Sequence, residues 1–130
     1  MDIVLVEDHA ATRTEIASLI NKREDLRVVG EAGDGAEGLR LARTLQPGVV
    51  VMDVVMPGMN GITAAAAIKK DLPETKIVML SNHTGKHLVD ILLQAGANGF
   101  VRKDRAHEEL IAAIRSVANK KDYIGQHVEN

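Results

Sequence analysis

Residues 49–61 read VVVMDVVMPGMNG, an aliphatic run that ends on Asp53 and is followed by a Met-Pro-Gly turn. The run has the length and the β-branched content of a buried strand. A carboxylate beside an apolar core is costly unless it is paired, binds a metal or lies at the rim. The stretch therefore predicts a strand that ends at Asp53, and other parts of the chain must supply partners for that carboxylate.

Similar aliphatic runs recur along the chain, and amphipathic stretches with helical spacing separate them. The runs are continuous rather than alternating, as in parallel strands that helices cover on both faces. Strict alternation of strands and helices favours an open doubly wound sheet with right-handed crossovers. We therefore predict a single α/β domain with helices on both faces of a five-stranded parallel sheet in the flavodoxin-like order 2-1-3-4-5. The predicted strands are Ile3–Val6, Leu26–Val29, Val49–Met52, Ile77–Leu80 and Phe100–Val101.

Composition narrows the function classes. The chain has 130 residues, a net charge of −2, no cysteine or tryptophan, and one residue each of Phe and Tyr. Without cysteine, disulfides, thiolate zinc sites and cysteine nucleophiles are excluded. So few aromatic rings argue against binding of single-stranded nucleic acid, and the charge gives no reason to expect direct contact with DNA or with a membrane. No apolar run is long enough to suggest a targeting or membrane segment, so we expect a cytoplasmic protein.

The domain is predicted to cover residues 1–120. Residues 121–130 have too little apolar content to add a layer, and they are interpreted as a C-terminal tail or the start of a linker.

Polar residues follow four of the five predicted strands. Glu7 and Asp8 follow the first strand, Asp53 the third, Ser81 the fourth and Lys103 the fifth. In the predicted strand order the three carboxylates converge at one edge of the sheet, where function collects in such folds. Clustered carboxylates repel one another, which raises their pKa values or demands a cation, and Mg²⁺ binds through carboxylates, waters and a phosphate. The pattern suits an aspartate that forms an acyl phosphate while a metal and a lysine neutralise the phosphoryl oxygens.

Each of these residues also has an ordinary structural interpretation. Glu7 and Asp8 could be an acidic helix start, Asp53 a turn residue before Pro57, and Lys103 a solvated charge. It is their joint appearance at successive strand ends that favours a site.

Together, these residues resemble the receiver domains of two-component response regulators, over nearly the whole chain. The resemblance implies that Asp53 is the phosphoacceptor. It further implies that Glu7, Asp8, Asp53 and the backbone carbonyl of Val55 hold Mg²⁺. Ser81 corresponds to the switch hydroxyl that meets the phosphoryl group, and Lys103 to the lysine that pairs with it.

Three more positions take roles from the same resemblance. Phe100 corresponds to an aromatic switch residue, with the alternative that it is the last large core residue of its strand. Val55 and His83 correspond to positions that tune the lifetime of the acyl phosphate.

The stretches Val6–His9, Gly30–Ala32 and Ala95–Phe100 resemble the NarL/FixJ branch of this family. That resemblance implies the receiver part of a LuxR-type transcriptional regulator. DNA would be reached only through a C-terminal helix-turn-helix, which residues 1–130 do not contain.

The implied function is a phosphorylation-controlled switch rather than an enzyme with an external substrate. A sensor histidine kinase or a histidine phosphotransfer protein would donate the phosphoryl group, and the domain would catalyse only its own phosphorylation and dephosphorylation. Phosphorylation would alter the surface of the fourth helix, fifth strand and fifth helix, and a homodimer is an expected result.

Four alternatives stay open. The chain could be a stand-alone regulator or phosphorelay shuttle, or a degenerate receiver used only for interaction. A Mg²⁺-dependent phosphohydrolase is disfavoured because such enzymes carry an acid two residues after the nucleophile, where this chain has Val55. Flavin or nucleotide binding is disfavoured because no glycine-rich loop follows the first strand. His83 and His87 could share a metal in principle, although solvated histidines are the simpler interpretation.

Overall fold

The computed structural model describes residues 1–56, 58–83 and 85–125. Its centre is a parallel sheet of six strands in the order β2-β1-β3-β4-β5-β6. Strands and helices alternate along the chain up to α5. In chain order, the elements are β1 (Asp2–Val6), α1 (Ala10–Asn21), β2 (Arg27–Ala32), α2 (Gly35–Leu45), β3 (Val49–Asp53), α3 (Gly61–Asp71), β4 (Lys76–Ser81), α4 (Lys86–Gln94), β5 (Gly99–Arg102), one 3₁₀ turn (Lys103–Arg105), α5 (Ala106–Ala118) and β6 (Tyr123–Ile124).

The continuous aliphatic runs are explained by burial on both faces of the sheet. In β1, Val4 and Val6 join a core cluster with α2, α3 and α4, whereas Ile3 and Leu5 join a second cluster with α1 and α5. Successive strand residues point to opposite faces, so a strand covered on both sides needs apolar residues at every position. The predicted α/β class and the order of the first five strands are confirmed.

Local sequence signals set the helix ends on one face of the sheet. The Asp34 side chain accepts a hydrogen bond from the Glu37 amide at the start of α2, and Asn60 does the same for Thr63 at the start of α3. These short polar side chains satisfy amides that have no partner within the helix. Helix α2 ends at Leu45, and the next residue, Gln46, adopts a left-handed conformation.

The predicted number of five strands is wrong, because Tyr123 and Ile124 form a sixth. The Tyr123 amide donates to the Asn98 carbonyl at 3.0 Å, and the Gly125 amide donates to the Phe100 carbonyl at 2.7 Å. A two-residue strand is too short to show a hydrophobic pattern, so no periodic signal in the sequence predicts it. The sheet therefore continues into the segment interpreted as a tail, of which residues 126–130 lie outside the described part.

Tyr123 is also tied to α5 through its side chain. Its hydroxyl donates to Glu109 Oε1 at 2.9 Å, and Arg105 Nε donates to Glu109 Oε2 at 3.3 Å. Burial raises the pKa of the Tyr123 phenol, and the carboxylate of Glu109 raises it further. Since the folded-state pKa is raised, this contact stabilises the fold below about pH 10, and its contribution is lost as pH rises through the folded-state pKa.

This contact can be tested directly because the chain contains one tyrosine and no tryptophan. We expect the near-ultraviolet absorbance of tyrosinate to titrate with a midpoint above the ordinary value of 10.0. Glu109→Gln removes the carboxylate charge and should lower that midpoint. A native protein that titrates at the ordinary value would contradict the docking of β6 on α5.

Candidate functional site

The polar strand ends predicted to converge lie around one cavity of about 220 Å³ at the carboxyl edge of the sheet. Asp53 is the last residue of β3 and Ser81 the last of β4, and both are buried. Glu7 directly follows β1, and Lys103 begins the 3₁₀ turn after β5. The residues that line the cavity are Asp8, His9, Asp53, Val55, Ser81, Asn82, His83 and Lys103.

Lys103 joins two of the predicted acids. Its Nζ lies 2.8 Å from Asp53 Oδ2 and 2.5 Å from Glu7 Oε1, and only 13% of its side chain is exposed. Burial alone would lower the pKa of the Lys103 ammonium, but its contacts with the carboxylates of Asp53 and Glu7 outweigh burial and raise that pKa. The lysine is therefore a fixed positive charge between β1 and β3. The predicted convergence of Glu7, Asp53 and Lys103 is confirmed.

The adjacent acids Glu7 and Asp8 have opposite ionisation tendencies. The Glu7 side chain is fully buried, and this burial raises its pKa; Lys103 opposes the shift, while Asp8 and Asp53 add to it. Burial also acts to raise the pKa of Asp8, but a hydrogen bond with Glu7 and the charges of His9 and Lys103 outweigh it, so the pKa of Asp8 is lowered. Asp8 is therefore the more readily ionised of the two.

The donor set fits a hard divalent cation. Within residues 1–56, 58–83 and 85–125, the buried atoms Glu7 Oε1 and Asp8 Oδ1 make no hydrogen bond. The nitrogen near Glu7 Oε1 is the cationic Lys103 Nζ. The nitrogen near Asp8 Oδ1 is the basic His9 Nδ1, at 3.4 Å. Carboxylate oxygens that receive no hydrogen bond in a buried cluster are suited to a cation, and oxygen ligands are those that Mg²⁺ prefers.

The loop after β3 fixes the position of Asp53. The Val55 amide donates to Asp53 Oδ1 at 3.3 Å, and the Gly61 amide donates to the Val54 carbonyl at 2.8 Å. A side chain at Gly61 would overlap the Asp53 carbonyl oxygen, so only glycine lets α3 begin this close to the end of β3. The Val55 side chain is 63% exposed at the cavity.

Ser81, His83 and Phe100 lie on the β4–β5 side of the site. The Ser81 hydroxyl accepts a hydrogen bond from the His83 amide at 2.9 Å. Phe100 is buried in the core cluster that also holds Val89 and Leu92 of α4. The core interpretation of Phe100 is therefore confirmed, and its role as a switch stays a prediction.

Two residues near the acids were missed by the sequence analysis. Arg13 of α1 donates from Nη1 to the Glu7 carbonyl at 2.7 Å and so holds the turn that presents the acids. His9 brings an imidazole nitrogen beside Asp8 and Glu7. His9 adjoins the acidic pair in the sequence, and that adjacency was the available signal, whereas Arg13 lies in α1, five residues after Asp8. His87, considered with His83 as a metal pair, is on α4 and does not line the cavity.

The chain was also compared with known proteins. The model of the response regulator receiver domain family matches residues 3–115. The response regulator UvrY of Escherichia coli strain K12 is 36% identical over 128 residues, which are 98% of this chain and 59% of UvrY. The transcriptional regulatory protein LiaR of Bacillus subtilis is 37% identical over 116 residues, covering 89% of this chain and 55% of LiaR. The chain thus spans little more than half the length of these relatives.

Solved structures agree in fold and in branch. A two-component response regulator of the LuxR family from Aurantimonas sp. SI85-9A1 superimposes with a TM-score of 0.94 at 33% identity, covering 98% of this chain and 91% of the other. The receiver domain of a putative response regulator NarL from Mycobacterium tuberculosis superimposes with a TM-score of 0.87 at 35% identity. The match covers 92% of this chain and 97% of the other.

This chain belongs to the response regulator receiver domain family of two-component signalling. The resemblance to the NarL/FixJ branch is confirmed by the same relatives. In the part of the chain that the structure describes, no helix has both the length and the apolar character needed to cross a membrane.

Proposed function

We propose that this chain is a phosphorylation-controlled switch that accepts a phosphoryl group on Asp53 in the presence of Mg²⁺. The observation that carries the proposal is the Lys103 ammonium, which contacts both Asp53 and the buried Glu7 in a cavity that Asp8 and Ser81 also border. Acids, a hydroxyl and a fixed cation around one nucleophilic carboxylate are the groups that phosphoryl transfer requires.

The proposed metal ligands are Glu7, Asp8, Asp53 and the backbone carbonyl of Val55. When bound, the ion would supply positive charge that offsets the phosphoryl oxygens. The buried Asp8 Oδ1, which receives no hydrogen bond from the described residues, supports the carboxylate part of this ligand set.

The transfer step is a displacement at phosphorus. A carboxylate oxygen of Asp53 forms the new bond, and the donor's phosphorus–nitrogen or phosphorus–oxygen bond breaks with its electron pair on the donor. Lys103 is within 2.8 Å of the attacking group and would offset charge on the phosphoryl oxygens. The Ser81 hydroxyl would exchange its contact with the His83 amide for one with the phosphoryl group.

We propose that this exchange of contacts by Ser81 couples phosphorylation of Asp53 to a change elsewhere on the protein surface. Lys103 follows β5 directly, and Phe100 of the same strand belongs to the same core cluster as Val89 and Leu92, the buried residues of α4. A shift of Lys103 and Ser81 toward the phosphoryl group would therefore bias the surface of α4, β5 and α5. Val55 and His83, which border the cavity, would tune the lifetime of the acyl phosphate.

The proposed context is a cytoplasmic two-component pathway. A sensor histidine kinase or a histidine phosphotransfer protein would be the donor, and phosphorylation would promote a homodimer. The signalling domain, predicted over residues 1–120, would extend through β6, and the connection to an output module would begin after that strand. The relative LiaR is a transcriptional regulatory protein, which supports a transcriptional output for this chain. A separate helix-turn-helix would then contact the DNA. A stand-alone regulator or phosphorelay shuttle is the second candidate.

The experiment is the incubation of the protein with acetyl phosphate, with Mg²⁺ or with a chelator, followed by intact mass measurement. We expect one phosphoryl group to be added with Mg²⁺ and essentially none with the chelator. An unchanged mass with Mg²⁺ would contradict the proposed function. Equal labelling in the chelator would contradict only the role of the metal.

A further inference from the structure

We propose that the imidazole of His9 is an additional ligand of the divalent-ion site. Its nitrogen would make the site prefer first-row transition-metal ions over Mg²⁺ more strongly than the oxygen ligands alone would. The inference rests on the divalent-ion site of the proposed function. It adds a nitrogen donor to a set that otherwise consists of oxygens.

The position of His9 leaves its imidazole available to the site. His9 is the residue before the first turn of α1, and its side chain makes no capping hydrogen bond to that helix. The ring is 71% exposed and borders the same cavity as Asp8 and Asp53.

The distances suit shared coordination of one ion. His9 Nδ1 lies 3.4 Å from Asp8 Oδ1 and 3.9 Å from Glu7 Oε2. Two ligand atoms bound at about 2.1 Å to one octahedral ion are roughly 3.0 Å apart when adjacent and roughly 4.2 Å apart when opposite. Both distances fall within that span, before any movement of the side chains. All three residues offer ligand atoms within 4.8 Å of one another.

A second observation points to a cation at this position. Asp8 Oδ1 is buried and receives no hydrogen bond from any residue of the described ranges, although it faces His9 Nδ1. On the other side of the cluster, Lys103 already contacts Glu7 Oε1 and Asp53 Oδ2. A further positive charge would therefore be best accommodated on the side of the acids Glu7, Asp8 and Asp53 that is near His9.

The chemistry of the ligand atoms determines which metal ions bind more tightly when His9 is a ligand. Carboxylate, carbonyl and water ligands suit Mg²⁺, whereas an imidazole nitrogen suits later first-row ions, whose affinities rise from Mn²⁺ through Co²⁺ to Cu²⁺. A neutral ring with its proton on Nε2 leaves the lone pair of Nδ1 free for the ion. Loss of His9 should therefore weaken Co²⁺ binding much more than Mg²⁺ binding.

The test uses Co²⁺ and Mg²⁺ with three forms of the protein, the wild type, His9→Ala and His83→Ala. His83 is the matched control because it is the other histidine that borders the cavity. Binding is measured by titration calorimetry, and only Co²⁺ that excess Mg²⁺ displaces is counted, so that histidines elsewhere on the surface are excluded. His9→Asn is a fourth form, which keeps a good helix-capping residue at this position.

We expect His9→Ala and His9→Asn to weaken displaceable Co²⁺ binding by roughly tenfold or more and Mg²⁺ binding by less than about twofold. His83→Ala should bind both ions like the wild type. In wild type loaded with Co²⁺, nitrogen coupling in pulsed electron paramagnetic resonance should be present, and it should be absent in His9→Ala.

Two results would overturn the inference while the proposed function stands. The first is normal Mg²⁺ binding with an unchanged Co²⁺-to-Mg²⁺ ratio in both His9 variants. The second is loss of the nitrogen coupling in His83→Ala rather than in His9→Ala. If the wild type bound neither ion, both the inference and the proposed metal site would be wrong.

Discussion

Asp53→Asn is expected to abolish phosphoryl uptake from acetyl phosphate while the protein stays folded. The asparagine amide has nearly the shape of the carboxylate but is not a nucleophile that can form an acyl phosphate. Asp53 is buried at the end of β3, so a substitution of similar size should be accommodated, with some loss of stability from the weakened contact with Lys103.

Intact mass measurement after incubation with Mg²⁺ and acetyl phosphate tests this expectation. Asp104→Asn is the matched control because Asp104 adjoins Lys103 in the chain but pairs with Arg102 and does not border the cavity of Asp53. The control should gain one phosphoryl group like the wild type. Wild-type labelling of Asp53→Asn would mean that another residue accepts the phosphoryl group.

Lys103→Ala is expected to lower the free energy of unfolding of the metal-free protein by about 3 kcal/mol. The variant leaves the fully buried Glu7 and the buried Asp53 without their shared counter-charge. This loss of stability is at the lower end of the range for a broken buried ion pair. Glu7, whose pKa is already raised, can become protonated in the variant, and this relieves part of the loss. A domain of ordinary stability, roughly 5–15 kcal/mol, stays folded after such a loss.

Urea unfolding with and without Mg²⁺ measures the effect. The added cation should narrow the difference between the variant and the wild type, since it restores positive charge beside the same acids. Arg102→Ala is the control: its partner Asp104 has a side chain that is 61% exposed, so that ion pair should contribute less than about 1 kcal/mol. If Lys103→Ala lost no more stability than Arg102→Ala, the lysine would not be the counter-charge of the buried acids.

The main sheet could be predicted because its strands are long aliphatic runs without alternation. Burial on both faces requires apolar residues along the middle of a strand, and Ile3–Val6, Val49–Met52 and Ile77–Leu80 in β1, β3 and β4 meet that requirement. The strand β6 could not be predicted in this way. It is held by backbone hydrogen bonds to β5 and by the Tyr123 contact with Glu109, and neither leaves a periodic pattern in the sequence.

The site was predictable to the extent that it depends on strand ends. Parallel strands deliver their final residues to one edge, so the convergence of Glu7, Asp53 and Lys103 followed from the strand order. The contacts of Arg13 and His9 depend instead on how the first turn of α1 is set relative to β1. That geometry depends on how α1 packs against β1, and no local pattern or periodicity in the sequence indicates it.

The central claim is that the edge of the sheet holds a divalent ion and a phosphoryl group together, with the phosphoryl group on Asp53. The most direct measurement is a crystal structure of the chain with Mg²⁺ and beryllium fluoride, which imitates the acyl phosphate. We expect the fluoride group on an Asp53 carboxylate oxygen in contact with Lys103 and Ser81, and the metal ion beside Asp8. Fluoride bound to a different residue, or a metal ion away from Asp8 and Asp53, would contradict it.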